Sequence, residues 1–290
     1  MITYHTKKGF VRITEKIGKD PSVNQSEKVT SDLLYKFELQ LSPEEVIKLV
    51  SSKNSLSLLE PTYLIDLSMD EDEILKRIHK NTRYKINRAA TRDELHYVEL
   101  TSPSDNQIND FKEFYNPFAR EKNIRECDMT KLKALRDQEA LVISYIEDSG
   151  YRILCYHVYF VAGTQGYLLY SASRRFEKDG VDNRNLIGRA NRYLHWRDIL
   201  SFKQKGCKWY NFGGKILNPS DKSGQNINEF KLSFGSIHAH DLRIYYSKSL
   251  KGKIFLFLLR LKLILKENPE YTYTLEIIKR NGRGFDEENI

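Results

Sequence analysis

The segment Glu229-Phe-Lys-Leu-Ser-Phe-Gly235 sets a single cation, Lys231, between two aromatic residues, Phe230 and Phe234. It follows Lys208-Trp-Tyr-Asn-Phe-Gly-Gly214, which reads as a short aromatic strand running into a double glycine. An ammonium close to apolar surface is costly unless it is paired, and it suits a pocket where negative charge sits or develops. The same residues also fit a lysine snorkelling at a strand edge.

Two further groups could bind anions. Lys76, Arg77, Lys80, Arg83, Lys85 and Arg88 concentrate positive charge along one predicted helix, with Ile74, Ile78 and Ile86 left to face a core. Such a stripe can hold the phosphates of a nucleotide diphosphate, a lipid diphosphate or a transfer RNA backbone, or it can be a solvated helix face. Lys80, Arg83 and Arg88 are the phosphate-binding candidates, and Tyr84 adds a stacking surface. Asn185-Leu-Ile-Gly-Arg-Ala190 stands where strands give way to a helix, so its backbone N–H groups could meet a phosphate at a helix N-terminus. That makes Asn185, Gly188 and Arg189 candidates for donor binding, beside the plainer reading of a glycine at a helix start.

His195 with Asp198, and His157 and His238 on predicted strands, lack metal-ligand spacing and read as core or surface histidines. No hydrolase elbow, zincin, Walker or dinucleotide fingerprint occurs, which removes the usual support for those classes and leaves neither a covalent nucleophile nor a metal centre to expect. The three cysteines are scattered without C-x-x-C spacing, as expected in a reducing compartment.

These residues need elements to hold them. Tyr35, Phe37, Leu39 and Leu41 alternate as in a half-buried strand, and Ser42-Pro-Glu-Glu45 supplies a capping box for a helix after it. Residues 63–67 read as a strand, with a second capping box at Ser68-Met-Asp-Glu71 opening a helix to about residue 90. Next come a strand at 95–100 and a helix capped by Ser104 and Gln107 that carries Ile108, Phe111, Phe114, Tyr115 and Phe118 toward a core. Residues 141–146, 153–161 and 167–172 read as an antiparallel meander, and 185–205 as a helix ending at Gly206. Residues 215–228 read as a long polar loop over a site, 238–246 as a strand, and 249–266 as a basic apolar helix before a polar end at 281–290.

At 290 residues, 40% apolar and 12% aromatic, the chain can bury a full core. A net charge of +8 favours phosphate-bearing or anionic partners, although charges of both signs are interspersed. No signal-like apolar stretch opens the sequence, and 249–266 is too short and too basic to span a bilayer, so a cytoplasmic protein is expected.

Taken in order, Tyr63-Leu-Ile-Asp-Leu-Ser68, Arg83-Tyr-Lys-Ile-Asn-Arg-Ala89, the helix at 111–120, Tyr167-Leu-Leu-Tyr-Ser-Ala172, Asn185-Leu-Ile, residues 206–214 and Phe230-Lys-Leu-Ser-Phe-Gly235 resemble the FemAB family of peptidoglycan bridge-forming aminoacyltransferases. They also resemble the wider set of FemAB-like N-acyltransferases with a fold of the GCN-type N-acetyltransferase (GNAT) class. The resemblance runs from about residue 63 to 235. It implies an α/β (α+β) architecture with a mixed, mostly antiparallel sheet flanked by helices: a truncated first GNAT-like subdomain at 1–95, a complete second domain at 96–247, and a basic tail at 248–290.

By the same resemblance Lys231 stabilises the developing oxyanion, with Tyr170, Phe212 and Phe230 as pocket walls. The acceptor is an amine of a nucleotide- or lipid-linked cell-envelope precursor, either a peptidoglycan peptide or a surface-polysaccharide amino sugar. The donor is an aminoacyl-tRNA or an acyl-CoA: no heptad-rich arm of the kind that some tRNA-using members carry is visible, and residues 185–190 approximate a pyrophosphate loop. No bound cofactor is expected, and helix 249–266 is available for peripheral contact with the membrane. The competing expectation is a non-catalytic protein of the same fold that binds RNA or serves as a membrane-surface adaptor.

Overall fold

The computed structural model describes residues 1–18, 31–39, 55–174 and 181–281. The helix expected after Ser42 and most of the polar end lie outside these residues. The strands, in chain order, are β1 (Ile2–Lys8), β2 (Val11–Ile17), β3 (Leu33–Glu38), β4 (Ser55–Asp66), β5 (His96–Leu100), β6 (Leu141–Glu147), β7 (Ile153–Ala162), β8 (Gln165–Ser173), β9 (Trp209–Gly214) and β10 (Ile237–Ser247). The described helices are α1 (Glu71–Arg77), α2 (Lys80–Arg92), α3 (Asp105–Glu121), α4 (Met129–Arg136), α5 (Val181–Gln204), α6 (Lys222–Leu232), α7 (Leu250–Leu265) and α8 (Pro269–Asn281). Pairing is mostly antiparallel, with β2–β3 and β8–β9 parallel.

The chain forms two compact units that interleave in sequence, whereas the expected partition at 95 and 247 follows chain order. One unit comprises Met1–Thr62, Gly214–Asn228 and His238–Ile290, and the other Tyr63–Gly213 and Glu229–Ile237. In the first, β1 and β2 form a hairpin in register Ile2↔Ile17 to Lys8↔Val11, β3 joins β2 in parallel, and β10 lies antiparallel to β3. Val11, Ile13, Leu33 and Leu56 make a core closed by Leu256 of α7. The β1–β2 hairpin and α8 have no counterpart in the sequence reading. Thr274 of α8 is tied in by its hydroxyl, which accepts from the Leu59 N–H at 2.8 Å.

In the second unit the strand order is β4-β9-β8-β7-β6-β5, from Tyr63 onward in β4. The expected meander is present as β6, β7 and β8, and α3 starts at the expected capping box: the Ser104 hydroxyl accepts from the Gln107 N–H, and the Gln107 side chain accepts from the Ser104 N–H. Helix α5 is described from Val181, earlier than expected, to Gln204, and the expected glycine, Gly206 with φ +78°, closes it. There the Cys207 N–H bonds the Phe202 carbonyl and the Gly206 N–H the Lys203 carbonyl, satisfying the last turn.

Two expectations need correction. The helix opened at Ser68 is two helices: α1 starts after Asp70, whose side chain makes no capping bond, while Ser68 bonds Asp66, and the chain turns extended at Ile78 and His79. Burial of Ile78 in the core and donation by the His79 N–H to the Ser233 carbonyl at 2.8 Å hold that break. The long loop at 215–228 is half helix: Asp221 accepts from the Gly224 N–H at 2.9 Å and starts α6, which then runs on to Leu232.

Candidate active site

Lys231 sits in the last turn of α6, so it is a buried helical lysine and not one at a strand edge. Its residue is 9% exposed, its ammonium donates to the Gly213 carbonyl at 3.2 Å, and it lies 5.8 Å from the centroid of the Tyr63 ring. A carbonyl dipole and a ring face both suit a desolvated ammonium.

Two glycines fix this arrangement. Gly213 has φ +75°, its N–H donates to the Asn211 side chain at 2.7 Å, and a Cβ there would approach the Leu168 carbonyl to 3.2 Å. Only a residue without a side chain turns that carbonyl toward Lys231 without strain. Gly235, at φ +73°, ends α6 beside α1, where a Cβ would come within 2.7 Å of the Arg77 carbonyl oxygen. The Gly235 N–H closes the turn on the Leu232 carbonyl.

Against Phe212, Phe230 and Phe234 packs His195, with centroid separations of 5.1, 5.3 and 5.4 Å. Behind it lies a buried polar chain. His195 Nδ1 is 2.6 Å from the Tyr210 hydroxyl, which is 2.7 Å from the Tyr159 hydroxyl, which donates to Asp198 Oδ2 at 2.6 Å. Asp198 also holds His157 Nδ1 at 2.7 Å and accepts from the Tyr97 hydroxyl at 3.0 Å. Since the one proton of Tyr159 goes to Asp198, Tyr210 donates to Tyr159 and accepts from His195 Nδ1–H. That assigns the His195 tautomer and leaves Nε2 as a lone pair.

Burial, then the nearby charges of His157, Arg192 and Lys231, holds the His195 imidazole well below its ordinary pKa, so it is neutral at pH 7. Burial next to Asp198 likewise pushes the Tyr159 and Tyr210 hydroxyls well above theirs, so both keep their protons. Arg192 stacks 4.9 Å over Phe230 and donates to the Gly188 carbonyl. The site therefore combines a buried cation, a bare imidazole nitrogen and apolar walls, the parts needed to stabilise an oxyanion and accept a proton. Sequence reasoning paired His195 with Asp198, which are one helical turn apart; the contacts instead run to Tyr210, Tyr159 and His157 on the neighbouring strands.

The other candidates are placed as follows. The start of α2 meets the Lys231 segment, since the Thr82 hydroxyl donates to Ser233 Oγ at 3.0 Å, and Lys80 is exposed there. Arg83 donates to the Lys76 carbonyl at 2.8 Å at the end of α1. Arg88 and Arg189 converge on Asp93, Arg189 through two hydrogen bonds. Asn185 is exposed, and with Gly188 it lies inside α5 and not at its start, because the helix begins at Val181; the expected helix-start geometry is absent at these residues.

Of the expected pocket walls, Phe212 and Phe230 surround His195. Tyr170 belongs to a separate cluster with Phe111 and Tyr115, where its hydroxyl accepts from the Asp128 N–H at 3.0 Å. A cavity of about 510 Å³ lies between α2 and α5, lined by Tyr97, Tyr193, Trp196 and Arg197 among others, and contains none of the expected site residues. Among the described residues no cluster of His, Cys, Asp and Glu could hold a metal ion, and the three cysteines are free.

No protein-family model and no curated protein sequence matches the chain. Among solved structures, FemX superposes on 68% of this chain and 64% of its own, at 13% sequence identity and a TM-score of 0.52. The chain has the fold of FemX. It spans 64% of the length of FemX, and at 13% identity the likeness is one of chain path. L-PGS from Bacillus licheniformis is matched at 12% identity and a TM-score of 0.48, over 78% of this chain and 72% of its own. N-myristoyltransferase from Saccharomyces cerevisiae is matched at 11% and 0.39, over 74% and 51%. On the FemX fold, then, the Lys231–His195 arrangement is described from this chain's own side chains.

Proposed function

We propose that the protein is an N-acyltransferase that moves an acyl or aminoacyl group to an amine of a cell-envelope precursor. The observation that carries this reading is a buried lysine beside a neutral, lone-pair-bearing histidine, on a fold shared with FemX. The amine nitrogen attacks the ester carbonyl of an aminoacyl-tRNA or the thioester carbonyl of an acyl-CoA, forming the C–N bond and a tetrahedral oxyanion. Lys231 stabilises that charge, His195 Nε2 takes the proton from nitrogen, and collapse breaks the C–O or C–S bond as the leaving group recovers a proton.

Lys80, Arg83 and Arg88 bind phosphates of the acceptor in this reading, Asn185, Gly188 and Arg189 approach the donor, and Tyr170 keeps a role as an outer wall. The acceptor is a peptidoglycan peptide or a surface-polysaccharide amino sugar on a nucleotide or lipid carrier. Operation in the cytoplasm, with a lipid-linked acceptor reached at the inner face of the membrane, belongs to the same proposal.

The test is to incubate purified protein with each donor and with nucleotide- or lipid-linked amino sugars and peptides, then to read products by mass. An acceptor heavier by one acyl group is expected. Salt-dependent RNA binding that persists in Lys231→Ala, with no product from any donor and acceptor pair, would replace the proposal with an RNA-binding role.

A further inference from the structure

Helix α7 has two apolar faces. Gly252, Phe255, Leu256, Leu259 and Leu263 turn inward onto the core of Val11, Ile13, Leu33 and Leu56. On the opposite side Leu250, Ile254, Phe257, Leu258, Leu261 and Ile264 recur at helical spacing and stand open, with Phe257 61% and Leu258 50% exposed. A single exposed leucine needs no explanation; a continuous stripe along a four-turn helix does.

The polar residues of α7 are arranged with equal regularity. At about 100° per residue, Lys251 and Lys262 fall along one edge of the open stripe, and Lys253 and Arg260 along the other. No acidic residue occurs from 249 to 266, and all four of these basic residues, with Lys266, are exposed. The tip of the β1–β2 hairpin adds Lys7, Lys8 and Phe10, the last 51% exposed and edge-to-face with Phe255 at 6.4 Å.

We infer that this face of α7, with the hairpin tip, docks on an anionic lipid surface, the apolar stripe lying among acyl chains and the lysines reaching headgroup phosphates. An amphipathic helix bordered on both sides by cations is the form that lies in a membrane interface, and no described helix is long and apolar enough to cross one. A second copy of the chain is a poor occupant, since facing stripes would bring the lysine borders of both copies together without a carboxylate between them. The inference is independent of acyl transfer, because it uses none of the residues around Lys231.

The experiment is sedimentation of the full chain with vesicles of phosphatidylcholine and phosphatidylglycerol, against vesicles of phosphatidylcholine alone. Binding to the anionic vesicles is expected, with weakening at high salt. The double variant Phe257→Glu, Leu261→Glu should lose about tenfold or more in partitioning, and Lys251→Glu, Lys262→Glu should lose the preference for anionic lipid. Both should keep the thermal midpoint, since the replaced side chains are exposed. Wild-type protein that stays in the supernatant, equal binding by the apolar double variant, or a dimer in solution that this variant dissociates without any vesicle binding would each overturn the inference.

Discussion

Replacing Lys231 by methionine removes the ammonium while keeping most of the side chain's length, so the perturbation is electrostatic and not steric. Alanine would be a poorer probe: the residue is 9% exposed, and truncation there adds the cost of a cavity. Methionine loses contacts that include the bond to the Gly213 carbonyl and the approach to the Tyr63 ring, and is relieved of burying a charge, which acts in the opposite direction. The net change in stability should fall within about 1 kcal/mol, or roughly 2–4 °C in thermal midpoint for a chain of this size.

Catalysis has no such cancellation. Loss of one preorganised donor to an oxyanion costs about 10²–10³ in turnover, and the loss should fall on kcat with little change in KM, because the charge develops only at the transition state. The assay is product mass over time under saturating donor and acceptor, with the midpoint read by calorimetry on the same preparation. A methionine variant with wild-type kcat and an unchanged midpoint would refute the oxyanion role. A collapse of the midpoint would show instead that the buried ammonium is structural.

Tyr210→Phe removes the hydroxyl linking Tyr159 to His195 and leaves both short of one hydrogen bond, so stability should fall by about 1–3 kcal/mol. Transfer should fall about tenfold or more with a displaced pH profile of kcat/KM, whereas a lower midpoint with an unmoved profile would make the network purely structural. Because the folded pKa of His195 is depressed, only the unfolded chain takes up that proton as pH falls through about 6.5. Its contribution to stability is therefore full above that pH and is lost below it, by at most about 1.4 kcal/mol per pH unit. His195→Gln should flatten this part of a denaturant-midpoint-against-pH curve, which His238 and His240, also depressed by burial, will otherwise share.

Much of the fold was legible because local signals agreed with tertiary need: the capping box at Ser104, the glycine after α5 and the three apolar segments of β6 to β8 each meant what they mean in isolation. Helix α6 was not, since Lys222-Ser-Gly-Gln-Asn has the composition of a loop, and its order comes from Asp221 at one end and from Asn228 bonded to Ile216 on the backbone. The strand-edge alternative for Lys231 goes with that loop, and the helix puts the residue at a buried helix end. The histidine network was illegible for another reason: the links described join residues 15 to 101 positions apart, and no spacing rule connects an imidazole on a helix to hydroxyls on separate strands.

The interleaving of the two units sets an order of events during synthesis. Residues 63–213 leave the ribosome as one stretch, whereas β3 must wait for β10 and Leu59 for Thr274, 215 positions later. Pairing across such separations is slow, and the strands that wait keep unpaired edges meanwhile. Strands β1 to β3 are made before β10 and α8 and are closed after them, with the β1–β2–β3 ladder as an early shelter among the described residues. Any helper that holds the nascent chain is therefore expected to act on residues 1–62 first and to release them only after α8 has emerged.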